Sequence, residues 1–314
     1  MVANLLIVAS ALLAVTPVRA ESHEYRYTGG CYQNRLFQYR LVVPDSLKPE
    51  RRYPLLVWLH GVGENGSDNR RNLRHINIIA DSLAGHLDFF ILAVQCPPDN
   101  PTWYRSRGGK DNNANQEDMI TVTAAILQKT MHDCPVDHDR VYLAGVSSGG
   151  SGCWEMAMRY PKWFAAVVPL ASGGGDISRA ANVRNLPIWA FHNVNDSGSP
   201  FESVQQTVDA IVACGGNAHL SLLAAPGHDC WTTAIEQYPI ISWMLEQRRG
   251  ALCWIPPGCH FWQWWHLLTL PCAVLLFTRL AWHLEQRRRK ASSATVLPRA
   301  RDGRNRFFDR PRDF

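Results

Sequence analysis

Between about residue 35 and residue 250, short apolar runs alternate with longer amphipathic stretches, and this rhythm constrains the fold more than any other feature of the chain. The short runs are Leu36–Val43, Leu55–Leu59, Phe89–Val94, Val141–Ala144, Ala165–Leu170, Ile188–Phe191 and Leu220–Ala224. Their near-continuous apolarity reads as strands buried on both faces. The stretches between them, around 72–87, 116–131, 148–160, 201–214 and 232–247, carry apolar residues at helical spacing. Strand and helix in steady alternation predict an α/β protein with a mostly parallel central sheet and helices on both faces. At 314 residues and 46% hydrophobic, one such domain with appendages fits better than two full domains.

Both ends read as appendages. Leu5 to Val15 is apolar but too short to span a bilayer, and Val18 and Ala20 place small residues where a signal peptidase cuts, so residues 1–20 read as a signal peptide. The main globular unit is then 21–250, followed by a linker at 251–260. Phe261 to Trp282 would extend about 33 Å as a helix, close to a bilayer's hydrocarbon thickness. Trp262, Trp264 and Trp265 stand at one end of it, with the cluster Arg287, Arg288, Arg289 and Lys290 beyond the other. The expectation is a transmembrane helix at 261–282 and a basic, disordered tail at 283–314. That tail holds ten Lys or Arg and four Asp or Glu, so the formal charge of +5 leaves −1 for everything before it. Nothing in this balance calls for a nucleic-acid partner. An extracytoplasmic compartment would be oxidising, and Cys253 and Cys259 flank the turn-forming Pro256-Pro257-Gly258, so a disulfide is expected between them. The nine cysteines include no C-x-x-C pair, and neither an H-E-x-x-H nor a phosphate-binding glycine pattern occurs.

One stretch carries chemistry. "RVYLAGVSSGGSGCWEM" passes from an apolar run through serines and glycines into a helical pattern. A serine presented on a sharp strand-to-helix turn needs small residues two before and two after it. Ser147 alone qualifies, with Gly145 and Gly149; Ser148 has Val146 at minus two, and Ser151 has Cys153 at plus two. A serine hydroxyl needs an imidazole to take its proton. His228, in "APGHDCW" just after a strand, is best placed, whereas His219 opens a strand and His260, His266 and His283 flank or enter the C-terminal apolar segment. The orienting acid belongs between the two in sequence and past a strand. Asp196 in "IWAFHNVNDSGSP" fits best, Asp176 comes second, and Asp209 lies within a helix. An oxyanion needs backbone N–H donors. Ser148 would supply one, and the glycine-rich turn of "LLVWLHGVGENGSDN" the other, through Val62 or alternatively Gly61. Trp103, Tyr104, Trp154 and Trp231 stand near this sheet edge, either as stacking surfaces for a substrate or as core residues.

Together "LLVWLHGVGENGSDN", "RVYLAGVSSGG", "LPIWAFHNVND" and "APGHDCW" resemble an α/β-hydrolase over roughly residues 35–248. More narrowly they are similar to secreted carboxylesterases grouped with phospholipase/carboxylesterases, feruloyl esterases and polyhydroxybutyrate-depolymerase-like enzymes. The resemblance implies a Ser147, Asp196, His228 triad and no cofactor. It departs at His192-Asn193, where the family usually has His-Gly before the acid. The expected activity is cleavage of small-molecule or polymer-linked carboxylic esters through an acyl-enzyme. A serine peptidase on the same fold is one alternative. A membrane-tethered binding protein without turnover is the other.

Overall fold

The computed structural model describes residues 19–83, 86–99, 102–104 and 118–250. The expected signal segment up to Val18, the Cys253–Cys259 disulfide, the span at 261–282 and the tail lie outside them. Among the described residues no helix is long and apolar enough to cross a membrane.

Eight strands form one sheet: β1 (Ala20–Tyr27), β2 (Arg35–Val42), β3 (Tyr53–Leu59), β4 (Phe90–Val94), β5 (Val136–Val146), β6 (Ala166–Leu170), β7 (Ile188–Asn195) and β8 (Ala218–Pro226). Their order is β1-β2-β4-β3-β5-β6-β7-β8. β1 pairs antiparallel with β2 and β2 with β4, while every later pairing is parallel. The helices are α1 (Ile76–Ser82), α2 (Met119–Asp133), α3 (Ser148–Arg159), α4 (Glu202–Ala213), α5 (Trp231–Gln237) and α6 (Ile240–Glu246).

The central strands are apolar on both faces because both faces are covered. Leu55, Val57 and Leu59 of β3 and Val141 and Leu143 of β5 join a core that takes in residues of α2, α3 and α4. Leu56, Trp58, Tyr142, Ala144 and Val146 point into a second core shared with α1, α5 and α6. The expected α/β sheet with helices on both faces is therefore the observed one.

Three features differ from the sequence reading. β1 carries alternating half-buried and exposed residues and pairs along its whole length with β2, which makes it an edge strand with no apolar run to announce it. The helix expected over 232–247 is two helices, α5 and α6, interrupted at Tyr238-Pro239, because proline supplies no N–H to continue the first. The helix expected over 72–87 begins only at Ile76. The buried Asn72 side chain donates instead to the Ala93 carbonyl of β4 (2.8 Å), which fixes a short 3-10 turn at Arg71–Leu73.

Candidate active site

Ser147 stands between the last residue of β5 and the first of α3 with φ 55° and ψ −119°. A non-glycine residue with positive φ is strained by about 1–3 kcal/mol and persists only where its surroundings hold it. Here Ser147 N–H donates to the Leu170 carbonyl (2.8 Å), and its own carbonyl accepts from Ser151 N–H (3.0 Å). The flanking glycines are required by space. A Cβ on Gly145 would lie 2.6 Å from the Leu59 carbonyl oxygen, and one on Gly149 would lie 2.0 Å from it. Small residues at these two places let the turn pack directly on the end of β3.

The end of β3 is also where the glycine-rich loop begins. His60 is buried, and its Nδ1 donates to the Gly61 carbonyl (2.7 Å) while Nε2 accepts from Cys96 N–H (3.0 Å). Only the tautomer with the proton on Nδ1 satisfies both partners, since a carbonyl cannot donate. Burial lowers the pKa of His60, with the Gly61 carbonyl opposing. Val62 opens a 3-10 turn at Val62–Glu64, and Ser148 opens α3. First-turn N–H groups have no partner within their own helix, which leaves both amides suited to an external acceptor. Gln95 staples the rest of this loop, donating to the Glu64 carbonyl (3.0 Å) and to Asp68 (2.9 Å) and accepting from Asn69 N–H (2.7 Å).

His228 and Asp196 come from the ends of neighbouring strands. Asp196 follows β7, with its side chain 1% exposed, and Oδ1 accepts Gly198 N–H (2.9 Å) and Ser199 N–H (3.1 Å). Oδ2 accepts His228 Nδ1–H at 2.5 Å. His228 Nε2 is then unprotonated and stands 2.9 Å from Ser147 Oγ, whose hydroxyl it accepts. Desolvation would raise the Asp196 carboxyl, but the His228 hydrogen bond and the Gly198 N–H outweigh it, and the net shift is downward.

The structure thus brings Ser147, His228 and Asp196 into one hydrogen-bonded line. It excludes the other acids from that line. Asp176 caps the 3-10 turn at Ile177–Val183 by accepting Ser178 N–H (3.1 Å), and Asp209 accepts from Gln205 on the surface of α4 (2.8 Å). Of the four aromatic candidates, Trp103 and Trp154 are buried core residues, donating to the His60 carbonyl and to Ser172 Oγ. Tyr104 packs against the same core. Trp231 alone touches the line, its ring edge-on to His228 at 5.6 Å and to His75 at 5.2 Å on the other side. His75 in turn stands 3.6 Å from the buried Glu64 carboxylate.

Two further residues lie beside the line, His192 and Asn193, which the sequence marks only as a departure from the His-Gly of the family it resembles. His192 is completely buried on β7, with Nε2 4.0 Å from Asp196 Oδ2. Asn193 is buried as well, and its amide donates to the Gly227 carbonyl (2.9 Å). The first contact lies within the end of β7, between residues four apart, whereas the second depends on how β7 and β8 come together, which no local pattern encodes.

Residues 37–185 match the family described as esterase PHB depolymerase. A solved thermostable esterase is 30% identical, with a TM-score of 0.65 over 73% of this chain and 63% of its own. The chain has the α/β-hydrolase fold, and over these residues it is similar to esterases of the polyhydroxybutyrate-depolymerase-like type. Among curated proteins, the presumed esterase NocK of Nocardia uniformis subsp. tsuyamanensis is 27% identical over 50% of this chain and 43% of its own length. A bifunctional acetylxylan esterase/xylanase of Neocallimastix patriciarum is 26% identical over 52% of this chain and 22% of that protein. This chain therefore spans less than half of either curated relative.

Proposed function

We propose that this protein is a serine hydrolase that cleaves carboxylic esters through an acyl-enzyme. The observation that carries the reading is the unbroken line from Asp196 Oδ2 through His228 to Ser147 Oγ. Ser147 Oγ attacks the ester carbonyl carbon while its proton passes to His228 Nε2. The carbonyl oxygen becomes an oxyanion, held by the N–H groups of Ser148 and Val62, with Gly61 N–H as the alternative second donor. Collapse breaks the bond to the alcohol, which leaves with the proton from His228. A water molecule then repeats the attack on the acyl-enzyme and releases the acid. Asp196 remains ionised throughout and stabilises the imidazolium.

The likeness to esterases favours a small-molecule or polymer-linked ester as substrate. No cofactor has a part in this chemistry. The apolar start of the chain supports export from the cytoplasm, and the Phe261–Trp282 segment supports anchoring in the membrane. Labelling with a fluorophosphonate tests the reading: wild-type protein should react covalently and Ser147→Ala should not. A panel of acyl esters and peptides then follows. Turnover of peptides alone would move the protein to the peptidases, and absence of both labelling and turnover would leave a binding protein on a hydrolase fold. Resistance of the full-length chain to carbonate extraction, lost on truncation after Gly250, tests the anchor.

A further inference from the structure

The acid and the base of the proposed triad depend on the distance between two strand ends, because Asp196 follows β7 and His228 follows β8. The β7–β8 ladder runs in regular register from Ile188↔Ala218 to Asn193↔Leu223, and then shifts before Asn195↔Pro226. Backbone pairing therefore becomes irregular two or three residues before the groups whose separation matters most. At that point a side chain crosses between the strands. Asn193 Nδ2 donates to the Gly227 carbonyl at 2.9 Å, and Gly227 is the residue immediately before His228. Asn193 is 1% exposed while Gly227 is exposed, so the donor is anchored in the buried strand and reaches out to a turn at the surface. Gly227 itself has φ +76° and nothing within 4 Å of where a Cβ would stand, so its own packing does not hold the turn in place.

We infer that Asn193 is a positioning residue for the general base, clamping the turn that carries His228 to the strand that carries Asp196. This rests on the serine-hydrolase reading above. Among the described residues Asn193 hydrogen-bonds to no triad side chain through its amide, and its backbone carbonyl accepts the Asp196 N–H (3.4 Å). Its effect passes through Gly227 to the placement of the imidazole between Asp196 Oδ2 and Ser147 Oγ. Downstream, the turn has its own ties: Cys230 N–H donates to the His228 carbonyl (3.0 Å), and Asp229 caps α5 through Thr232 N–H (3.0 Å). These order the segment after His228. The Asn193 bond holds the residue before it.

Because the imidazole moves protons and does not grip the substrate, loosening it should lower kcat and leave KM nearly unchanged. The test compares wild type with Asn193→Ala and with Asn193→Asp, which keeps the shape and removes the donor. Both variants should lose roughly tenfold or more in kcat on a model ester, with KM within about twofold. Fluorophosphonate labelling of Ser147 should slow in parallel. The low-field proton resonance of the His228–Asp196 hydrogen bond, expected in wild type, should broaden or vanish. Gly227→Ala strains the same turn from the solvent side, far from the core, and should show the same split if the Asn193 variants fold poorly. Folded variants with wild-type kcat, labelling rate and low-field resonance would overturn the clamp, as would a loss confined to KM. A wild-type protein without labelling or turnover would instead overturn the hydrolase reading on which the clamp rests.

Discussion

Asp196→Asn separates the orienting role of the acid from its bulk. The carboxylate is held in a fixed orientation: Oδ1 accepts two backbone N–H groups, from Gly198 and Ser199, and Oδ2 faces His228 Nδ1. In the variant the amide must place its oxygen at the Oδ1 position, since an amide nitrogen there would confront two donors with a donor. The NH2 group is thereby fixed at the Oδ2 position, 2.5 Å from His228 Nδ1 and 4.0 Å from His192 Nε2. The surroundings accept this arrangement, because His192 Nε2 has no hydrogen-bond partner among the described residues. His228 cannot accept it and remain a base. With a donor facing Nδ1, the neutral imidazole moves its proton to Nε2, the atom that stands 2.9 Å from Ser147 Oγ. Nε2 then has no lone pair with which to take the serine's proton. Loss of the productive tautomer in a triad costs about 10⁴ in kcat, or about 5.5 kcal/mol of barrier.

The assay is steady-state hydrolysis of a p-nitrophenyl ester beside thermal unfolding of the same sample. The amide fills the carboxylate's volume and keeps both backbone hydrogen bonds, so the fold should survive. A folded variant that retains more than about a tenth of wild-type kcat would refute the tautomer argument.

Ser147→Ala should abolish labelling and turnover, whereas Ser148→Ala should cost less than about tenfold in kcat, because alanine keeps the backbone N–H assigned to the oxyanion. Gly149→Ala should yield no soluble protein by expression and circular dichroism, since its Cβ would lie 2.0 Å from the Leu59 carbonyl oxygen; Gly63→Ala, with nothing within 4 Å, should fold as wild type. The Gln95 hydrogen bond, followed by the Arg70 N–H, holds the Asp68 carboxyl below the usual carboxylate range, at about 2. A folded-state pKa below the unfolded one stabilises the protein above the unfolded value and loses that contribution as pH falls towards the folded one. Urea unfolding should therefore show the wild type's advantage over Asp68→Asn shrinking between pH 4 and pH 2, and a constant difference would count against it.

The parts of the site legible in sequence are those set by local sterics or by position at a strand end. Gly145 and Gly149 identify Ser147 as a pattern contained within five residues, although the Cβ atoms they leave out would meet the Leu59 carbonyl of β3. His228 and Asp196 were reachable because each follows an apolar run that reads as a strand, although β7 is buried and β8 is a half-exposed edge strand. What escaped were contacts between segments distant in the chain. The Asn193–Gly227 bond joins residues 34 apart, and the Trp231–His75 contact joins residues 156 apart. Strand β1 escaped for a different reason. Glu21, His23, Glu24 and Arg26 make it polar, and its place follows from eight paired positions on β2 and not from burial of its own side chains. The break at Pro239 was visible, but the apolar spacing on both sides of it outweighed the proline.

The two halves of the site are held by different means. Gly149 packs against the carbonyls of Leu59 and His60, the same residues that lead into Gly61 and Val62, so the nucleophile and the oxyanion loop rest on one backbone contact. The strain at Ser147 is sustained by that contact and by the Leu170 and Ser151 hydrogen bonds on either side. These groups move together or not at all, because no side chain lies between them to change rotamer. The acid and base stand on two strands whose ladder has already shifted, with the His228 side chain 38% exposed. Their geometry therefore rests on individual bonds, two from the backbone N–H groups of Gly198 and Ser199 and one from the Asn193 side chain. On the proposed reading, the same sheet edge joins a rigid electrophile cradle to a proton relay held by individual bonds, so a single substitution at the relay should change the rate while leaving the cradle standing.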